Sequence, residues 1–405
     1  MTVDKLLFEI ALGIEEPLYI ESYKFTSNQE LHIYIDFRKG AHFTCQTCGC
    51  EQTEVHDTKK KAWRHLDFFQ YKCFIHFRTP RVDCYRCGIN TWTPPWAQSG
   101  SKFTEMFERF VLMLAQGMPV TQIAALVREH DTRLWRIIKR YVDKAYSVMD
   151  FSKLSGVGID ETACKKGHNY ITVFTDMDNG NVVFATAGKD AETVREFSLE
   201  LALHNADASQ ITDAAIDMSK SYISGVKDHL PNAVVTFDKF HVVQLLNKAV
   251  DLVRRTECKK NPILKGSRYI WLKNPGNLTG DQADSLATLS KENLKTAKAY
   301  QMKLTFQDIY HNVYDPVVAE EAIKKWFNWA VRSRLEPIKD FAKTIKTHFR
   351  GVMNYFFSRL TSGMVEGINS MIQEIKRRAR GFRNTDNFIS MVYLVAGGLD
   401  IPVLY

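Results

Sequence analysis

Over residues 1–95 apolar and polar positions alternate. Leu31, Ile33 and Ile35 interleave with His32, Tyr34 and Asp36, and Tyr71, Cys73, Ile75 and Phe77 keep the same spacing. A period of two predicts half-buried strands joined by turns. Thr93-Pro94-Pro95 breaks the texture and marks a boundary. The period then lengthens. Phe103, Phe107, Phe110, Val111 and Leu114 recur at helical spacing, and Gly117-Met118-Pro119 interrupts them. Ile123, Leu126 and Val127, a polar break over 129–132, and then Leu134, Ile137, Ile138 and Tyr141 follow. Two short helices joined by a tight turn predict a helix-turn-helix.

Beyond Gly156 strands and helices alternate. Val157–Asp160 reads as a strand; 170–176 and 181–186 read as strands joined by Asp178-Asn179-Gly180, a hairpin signal. An amphipathic helix over 191–205, a strand over 211–217, a helix over 221–230 and a strand over 233–238 complete the run. Strand, strand, strand, helix, strand, helix, strand is the order of a ribonuclease-H-like core, with short apolar strands covered on both faces. Residues from about 240 to 355 read as helical, with breaks near Asn274-Pro275-Gly276 and Pro337. That is too long for a connection and predicts an inserted subdomain. A last helix is expected from Gly363 to Arg380.

The expected organisation is therefore α/β and multidomain. A strand-rich module occupies 1–95 and a helix-turn-helix 100–150. A ribonuclease-H-like core is divided between 155–242 and 356–395, with a helical insertion over 243–355.

Composition narrows the class. The chain has 405 residues, 45% hydrophobic and 25% charged, which excludes disordered, collagen-like and coiled-coil chains. A net charge of +8 suits an anionic partner. No apolar run is long enough to cross a bilayer, and the N-terminus lacks the layout of a secretion signal. The expectation is a cytoplasmic, nucleoid-associated protein with no membrane partner.

Six of the eight cysteines fall between Cys45 and Cys87. Cys45-Gln-Thr-Cys48-Gly and Cys84-Tyr-Arg-Cys87-Gly are two knuckles that offer four thiolates to one structural zinc. Cys50 and Cys73 read as core or spare thiols. In the helix-turn-helix, Arg133, Arg136 and Arg140 share roughly one face of the second helix, suited to phosphate and base-edge contacts; a solvated basic face is the plainer reading.

The acids carry the chemistry. Asp160 ends the first core strand and Asp217 the fourth, and these two strands lie side by side in the expected topology. Two hard oxygen ligands there suit Mg or Mn. Glu366 stands near the start of the final helix, with Met364, Ile368, Met371, Ile375 and Ala379 expected inward. Glu366, Asn369, Gln373, Lys376, Arg377 and Arg380 spread over its polar, basic sector, whose cations, with Arg378, would face a DNA backbone. Asp160, Asp217 and Glu366 together could hold two metal ions. Asp238, in Asp-Lys-Phe-His241, competes with Asp217 as second acid; alternatively Asp238 and His241 orient the site or close a hydrogen-bond network, or Asp238 caps the following helix. Aromatic residues among basic ones, at 268–271 and 326–334, could stack on unpaired bases or simply pack in a core.

The paired knuckles, Gly158-Ile-Asp-Glu-Thr-Ala with Lys166-Gly-His-Asn-Tyr, Asp217-Met-Ser-Lys-Ser-Tyr, Phe237-Asp-Lys-Phe-His-Val-Val, Ser362-Gly-Met-Val-Glu-Gly-Ile-Asn-Ser and Ile375-Lys-Arg-Arg-Ala-Arg-Gly-Phe-Arg-Asn together resemble a DDE transposase of the ISL-three family of bacterial insertion sequences. The resemblance spans nearly the whole chain. It implies recognition of terminal inverted repeats in double-stranded DNA, metal-dependent cleavage and strand transfer into target DNA, and a homo-oligomer on paired ends. The alternatives are a catalytically silent DNA-binding regulator and a nuclease on the same fold.

Overall fold

The computed structural model describes residues 3–51, 53–165, 169–358 and 363–402. Lys166-Gly-His and Ser362 of the quoted motifs lie outside the described residues. Two compact units divide the chain, one reaching to Tyr141 and taking in the residues from Asp400 onward, the other Val142–Leu399. Among the described residues no helix is long and apolar enough to cross a membrane.

The first unit opens on a helix where the alternation predicted only strands and turns. α1 (Val3–Leu12) ends at Gly13, whose φ of +61° lets Ile14 N–H reach back 2.8 Å to the Glu9 carbonyl, a left-handed stop that glycine takes without strain. The strands β1 (Leu18–Phe25), β2 (Glu30–Phe37), β3 (Glu54–Arg64), β4 (Lys72–Cys84) and β5 (Gly88–Thr91) form one sheet of order β1-β2-β4-β3, with β5 on the end of β4. β2 and β4 are parallel and pair Leu31 with Cys73, Ile33 with Ile75 and Ile35 with Phe77. All six are buried. The period of two thus becomes one apolar face, closed by Trp63 and Phe43.

α2 (Glu105–Gly117), α3 (Val120–Val127) and α4 (Asp131–Tyr146) follow. Thr104 caps α2 by accepting from Phe107 N–H, and Arg128 ends α3 in the left-handed region. Ile123, Leu134, Ile137 and Ile138 are buried as the helical spacing predicts, whereas Leu126 faces solvent. Arg64 joins the sheet to these helices. Its side chain is 2% exposed and pairs with Asp67 and, at 3.6 Å, with Glu129 in the α3–α4 turn. The guanidinium also lies 5.4 Å from the Phe107 ring of α2.

The second unit holds β6 (Gly156–Ala163), β7 (Tyr170–Asp176), β8 (Val182–Ala187), α5 (Ala191–Leu203), β9 (Asp213–Ile216), α6 (Lys220–His229) and β10 (Val234–Phe237). The sheet order is β10-β9-β6-β7-β8. β6, β7 and β8 form an antiparallel meander, and β9 and β10 run parallel to β6. Ile159 pairs with Phe174, which stacks on Phe197 of α5 at 4.4 Å. That face belongs to α5, and the alternate residues Gly158 and Asp160 point to the other.

The long helical stretch is α7 (Lys239–Cys258), α8 (Arg268–Leu272), α9 (Gly280–Lys291), α10 (Lys295–Asn312), α11 (Pro316–Arg332), α12 (Glu336–Thr347) and α13 (Phe349–Ser358). The break expected near Pro337 is present: α11 ends at Arg332 and α12 starts at Glu336, with Pro337 in its first turn, where a missing N–H is not needed. One buried apolar cluster runs from Phe151 in front of the sheet to Phe356 in α13. Trp271 and Trp326 lie inside it, so for these two packing is the reading realised, whereas Tyr269 is exposed. Gly351 makes the close contact possible: a Cβ there would sit 2.3 Å from the Phe237 ring.

α14 (Gly363–Arg378) and α15 (Thr385–Ala396) close the unit; the sequence pattern predicts only the first of the two. On α14 the buried residues are Val365, Ile368, Ile372 and Ile375, while Met364 and Met371 are 44% and 38% exposed. The expected inward stripe is therefore rotated by one position. The cause is Gly158, whose absent side chain leaves room for Val365: a Cβ there would meet Val365 Cγ2 at 2.5 Å.

Candidate active site

Three aspartates come together because of strand register. β6 and β9 pair Gly158 with Ala215, and β9 and β10 pair Ile216 with Phe237. Extending those registers sets Asp160, Asp217 and Asp238 level on three adjacent strands, about 4.8 Å apart from strand to strand. They share one recess with His241, Thr236 and Val365. Asp160 is not a strand end, since β6 continues to Ala163 against β7.

Each carboxylate is held differently. Asp160 Oδ1 accepts from Glu161 N–H at 2.7 Å, and Asn369 of α14 donates to Oδ2. Burial raises the Asp160 carboxyl above its ordinary pKa, and the imidazole of His241 opposes that rise. Glu161 is raised as well, again mainly by burial. Asp217 Oδ1 accepts from Ser219 N–H at 2.8 Å; its other oxygen has no hydrogen-bond partner among the described residues. Asp238 is committed on both sides. Oδ1 caps α7 by accepting from Phe240 N–H at 2.8 Å, and Oδ2 lies 3.0 Å from His241 Nδ1. That contact raises the His241 pKa, with the surrounding aspartates adding to it. The structure thus brings Asp217 and Asp238 into one row, and the cap expected of Asp238 is present.

Glu366 is exposed in the first turn of α14 and is not among the residues lining the recess. Asn369, three residues on, is on the same side of the helix one turn further. Gln373 donates to Thr162 at 2.9 Å and Lys376 Nζ to the Ala163 carbonyl at 3.1 Å, so a polar edge of α14 is laced to β6. Asn369 falls in the quoted motif 362–370, and both it and Gln373 lie on the polar sector of the helix, one and two turns from Glu366; neither carries a charge.

The donor set fits a hard divalent cation: carboxylate oxygens crowded in a half-buried recess, at least one with its charged form destabilised by burial. The recess is looser than the cysteine site. There the four sulfur atoms of Cys45, Cys48, Cys84 and Cys87 lie within 4.8 Å of one another, the one such cluster among the described residues. A tetrahedral zinc with bonds of about 2.3 Å needs sulfur spacings of roughly 3.8 Å, and Cys48 and Cys84 are 3.5 Å apart. The second knuckle is the hairpin from β4 to β5, with Cys84 opposite Gly88. Gly49 and Gly88 take φ of +75° and +70°. N–H groups of Thr47 and Cys48 draw the Cys45 thiol down to about 6, while its neighbours push Cys87 up. Cys50 and Cys73 stay outside the cluster.

The basic residues divide. Arg133 pairs with Glu129 and lies 4.5 Å from the Phe103 ring. Arg140 pairs with the fully buried Glu108. Arg136 is exposed and makes no ion pair among the described residues. Arg377 and Arg378 both pair with Glu374, and Arg380 is exposed just past α14.

Three family models match consecutive segments. Residues 41–87 match the zinc-finger of the IS204/IS1001/IS1096/IS1165 transposases, residues 93–142 the helix-turn-helix domain of transposase family ISL3, and residues 157–392 the ISL3 transposase model. The chain is 28% identical to a transposase for insertion sequence element IS1557 from Mycobacterium tuberculosis, over 97% of this chain and 95% of that one. It is 30% identical to the transposase for element IS1001 from Bordetella parapertussis, over 85% and 86%.

Proposed function

Because the chain belongs to the ISL3 family of transposases, we propose that it binds the terminal inverted repeats of an insertion sequence and catalyses metal-dependent DNA strand cleavage and strand transfer at the recess described above. The observation that carries this reading is the row of Asp160, Asp217 and Asp238 on adjacent strands, with α14 docked beside it. The sheet order, a three-stranded antiparallel meander extended by two parallel strands, supports a ribonuclease-H-like core.

Asp160, Asp217 and Glu366 are assigned as the catalytic acids and as ligands for Mg or Mn. Asp217 is preferred to Asp238 because it keeps one carboxylate oxygen uncommitted, whereas both oxygens of Asp238 are engaged by α7 and His241. Divalent cations, when bound, would lower the pKa of the attacking water or 3′-hydroxyl and neutralise charge at the scissile phosphate. Asn369 holds the Asp160 carboxylate in place, and Asp238 fixes His241 at the rim. Glu366 stands one helical turn from Asn369, on the same side of α14, and would join the two aspartates only if the first turn of that helix moved. The helix-turn-helix, through the exposed Arg136, and the cysteine module are assigned to the DNA ends. Two protomers would hold the paired ends.

The test is cleavage and joining of DNA carrying the element's ends. Asp160→Asn, Asp217→Asn and Glu366→Gln should each lower Mg-dependent cleavage by about a hundred-fold or more and leave end binding within about two-fold. Full cleavage by any one variant removes that residue from the assignment. Cleavage without joining would identify a nuclease.

A further inference from the structure

Six of the eight net positive charges sit in 26 residues. Between Lys248 and Lys273 there are eight basic residues and two acidic ones. Both acids are already engaged. Asp251 pairs with Arg254 at 2.7 Å and with Arg268 at 3.4 Å. Glu257 accepts the Lys295 and Thr296 N–H groups at 2.9 and 2.7 Å, at the start of α10. Of the other basic residues, Lys259, Lys260 and Lys265 are exposed, and the half-buried Lys273 donates to Gln282 at 3.0 Å. Lys248 and Arg255 are exposed and make no ion pair among the described residues.

These residues are not scattered. They line a groove of about 520 Å³ between α7 and α8, with Gln244, Asn247 and Leu252 in its walls. The side-chain oxygen of Asn247 is buried there with no hydrogen-bond partner, and turning the amide over would present its N–H groups to the same space. α8 is anchored from below: the buried Lys303 ammonium donates to the Trp271, Leu272 and Lys273 carbonyls at 2.8–3.2 Å. Arg268 therefore stands on a fixed support, next to the 62% exposed Tyr269.

Helical geometry ties the groove to the acid recess. At 100° per residue, His241, Gln244, Lys248, Leu252 and Arg255 fall within one arc of α7. His241 lines the recess and the others line the groove. At 1.5 Å per residue, Lys248 lies about 15 Å and Arg255 about 26 Å along the axis from Asp238. That distance is roughly four to eight base-pair steps of 3.4 Å.

We propose that the α7–α8 groove is a phosphate track. It holds the backbone of the DNA strand whose scissile bond lies at the Asp160–Asp217 row, through Lys248, Arg255 and Arg268, four to eight steps from that bond. This rests on the function proposed above and adds to it the path of the DNA.

The test uses the full chain and a Lys248→Gln/Arg255→Gln double variant, both exposed positions, with unchanged melting as the check on folding. The probe is end DNA with charge-neutral methylphosphonates placed four to eight steps from the cleavage position, on either side. The expected result has two parts. The slope of log K against log salt becomes shallower by about two in the double variant. Methylphosphonates on one side weaken wild-type binding at least five-fold and leave the double variant unaffected. An unchanged slope, or equal methylphosphonate losses in both proteins, overturns the track. Failure of the catalytic reading looks different: wild type would bind DNA with the full slope, the variant would still lower it, and Mg would produce no cut.

Discussion

At the residue scale the informative side chains are those whose charge state is set by neighbours. Asp160 carries a carboxylate that burial disfavours, and Asn369 and His241 work against that cost. His65 is the clearer case for measurement. Burial, and Arg64 beside it, hold its imidazole at about 4, and its Nδ1 lies 2.9 Å from the Thr104 hydroxyl that caps α2. The folded chain keeps His65 neutral, whereas the unfolded chain protonates it near 6.5. Protonation thus favours the unfolded state, so stability is complete above about 6.5 and declines as pH falls toward 4. The ceiling is about 3 kcal/mol. His65→Gln should remove this component. Between pH 7.5 and 5 the wild type should lose about 2 kcal/mol more than the variant in denaturant titrations, any zinc loss being common to both. Parallel losses would refute it.

At the element scale the fit of α14 on β6 is the critical contact. Gly158→Ala would drive a methyl group into Val365 and Met177. The expected cost is about 1–3 kcal/mol, with cleavage falling at least ten-fold and end binding unchanged; undiminished cleavage would show that α14 need not dock so closely. The same contact explains what the sequence could and could not reveal. Two stripes on α14 satisfy a helical period: 364, 368, 371, 375 and 365, 368, 372, 375. They share Ile368 and Ile375, so periodicity cannot choose between them; the gap left by Gly158 on another element does. α1 escaped for a related reason. Leu6, Leu7 and Ile10 are exposed and only Phe8 is buried among its described side chains, so no core-facing stripe announced it. By contrast β2, β4 and the core strands were legible, because burial on a sheet face leaves alternation or short apolar runs. The aspartates were legible because they close those runs. His241 was legible as the companion of Asp238, and Asn369 as a polar-sector residue of the last helix; that Asn369 reaches Asp160 was not, since that follows from a contact between elements.

At the scale of the whole molecule, the cysteine module and the helix-turn-helix belong to one compact unit, joined through Arg64. Loss of the metal should therefore reach the DNA-binding helices. Pure protein should carry one zinc per chain by metal analysis. Cys45→Ser should lose it, destabilise the first unit and weaken end binding about ten-fold or more. Absence of zinc from the wild type would refute the assignment. Three family models match in tandem, zinc finger, helix-turn-helix and transposase; under the proposed function the division of labour would run in that order along the chain.

The position of α14 near the C-terminus has a consequence for synthesis. A ribosome makes the cysteine module, the two DNA-binding helices and all three aspartates before it reaches residue 363. Asn369 and Glu366 arrive afterwards. If the recess is the cutting centre proposed above, a polypeptide abandoned earlier would carry the helix-turn-helix without the helix that completes that centre, and the order of synthesis would keep an unfinished chain from cutting DNA.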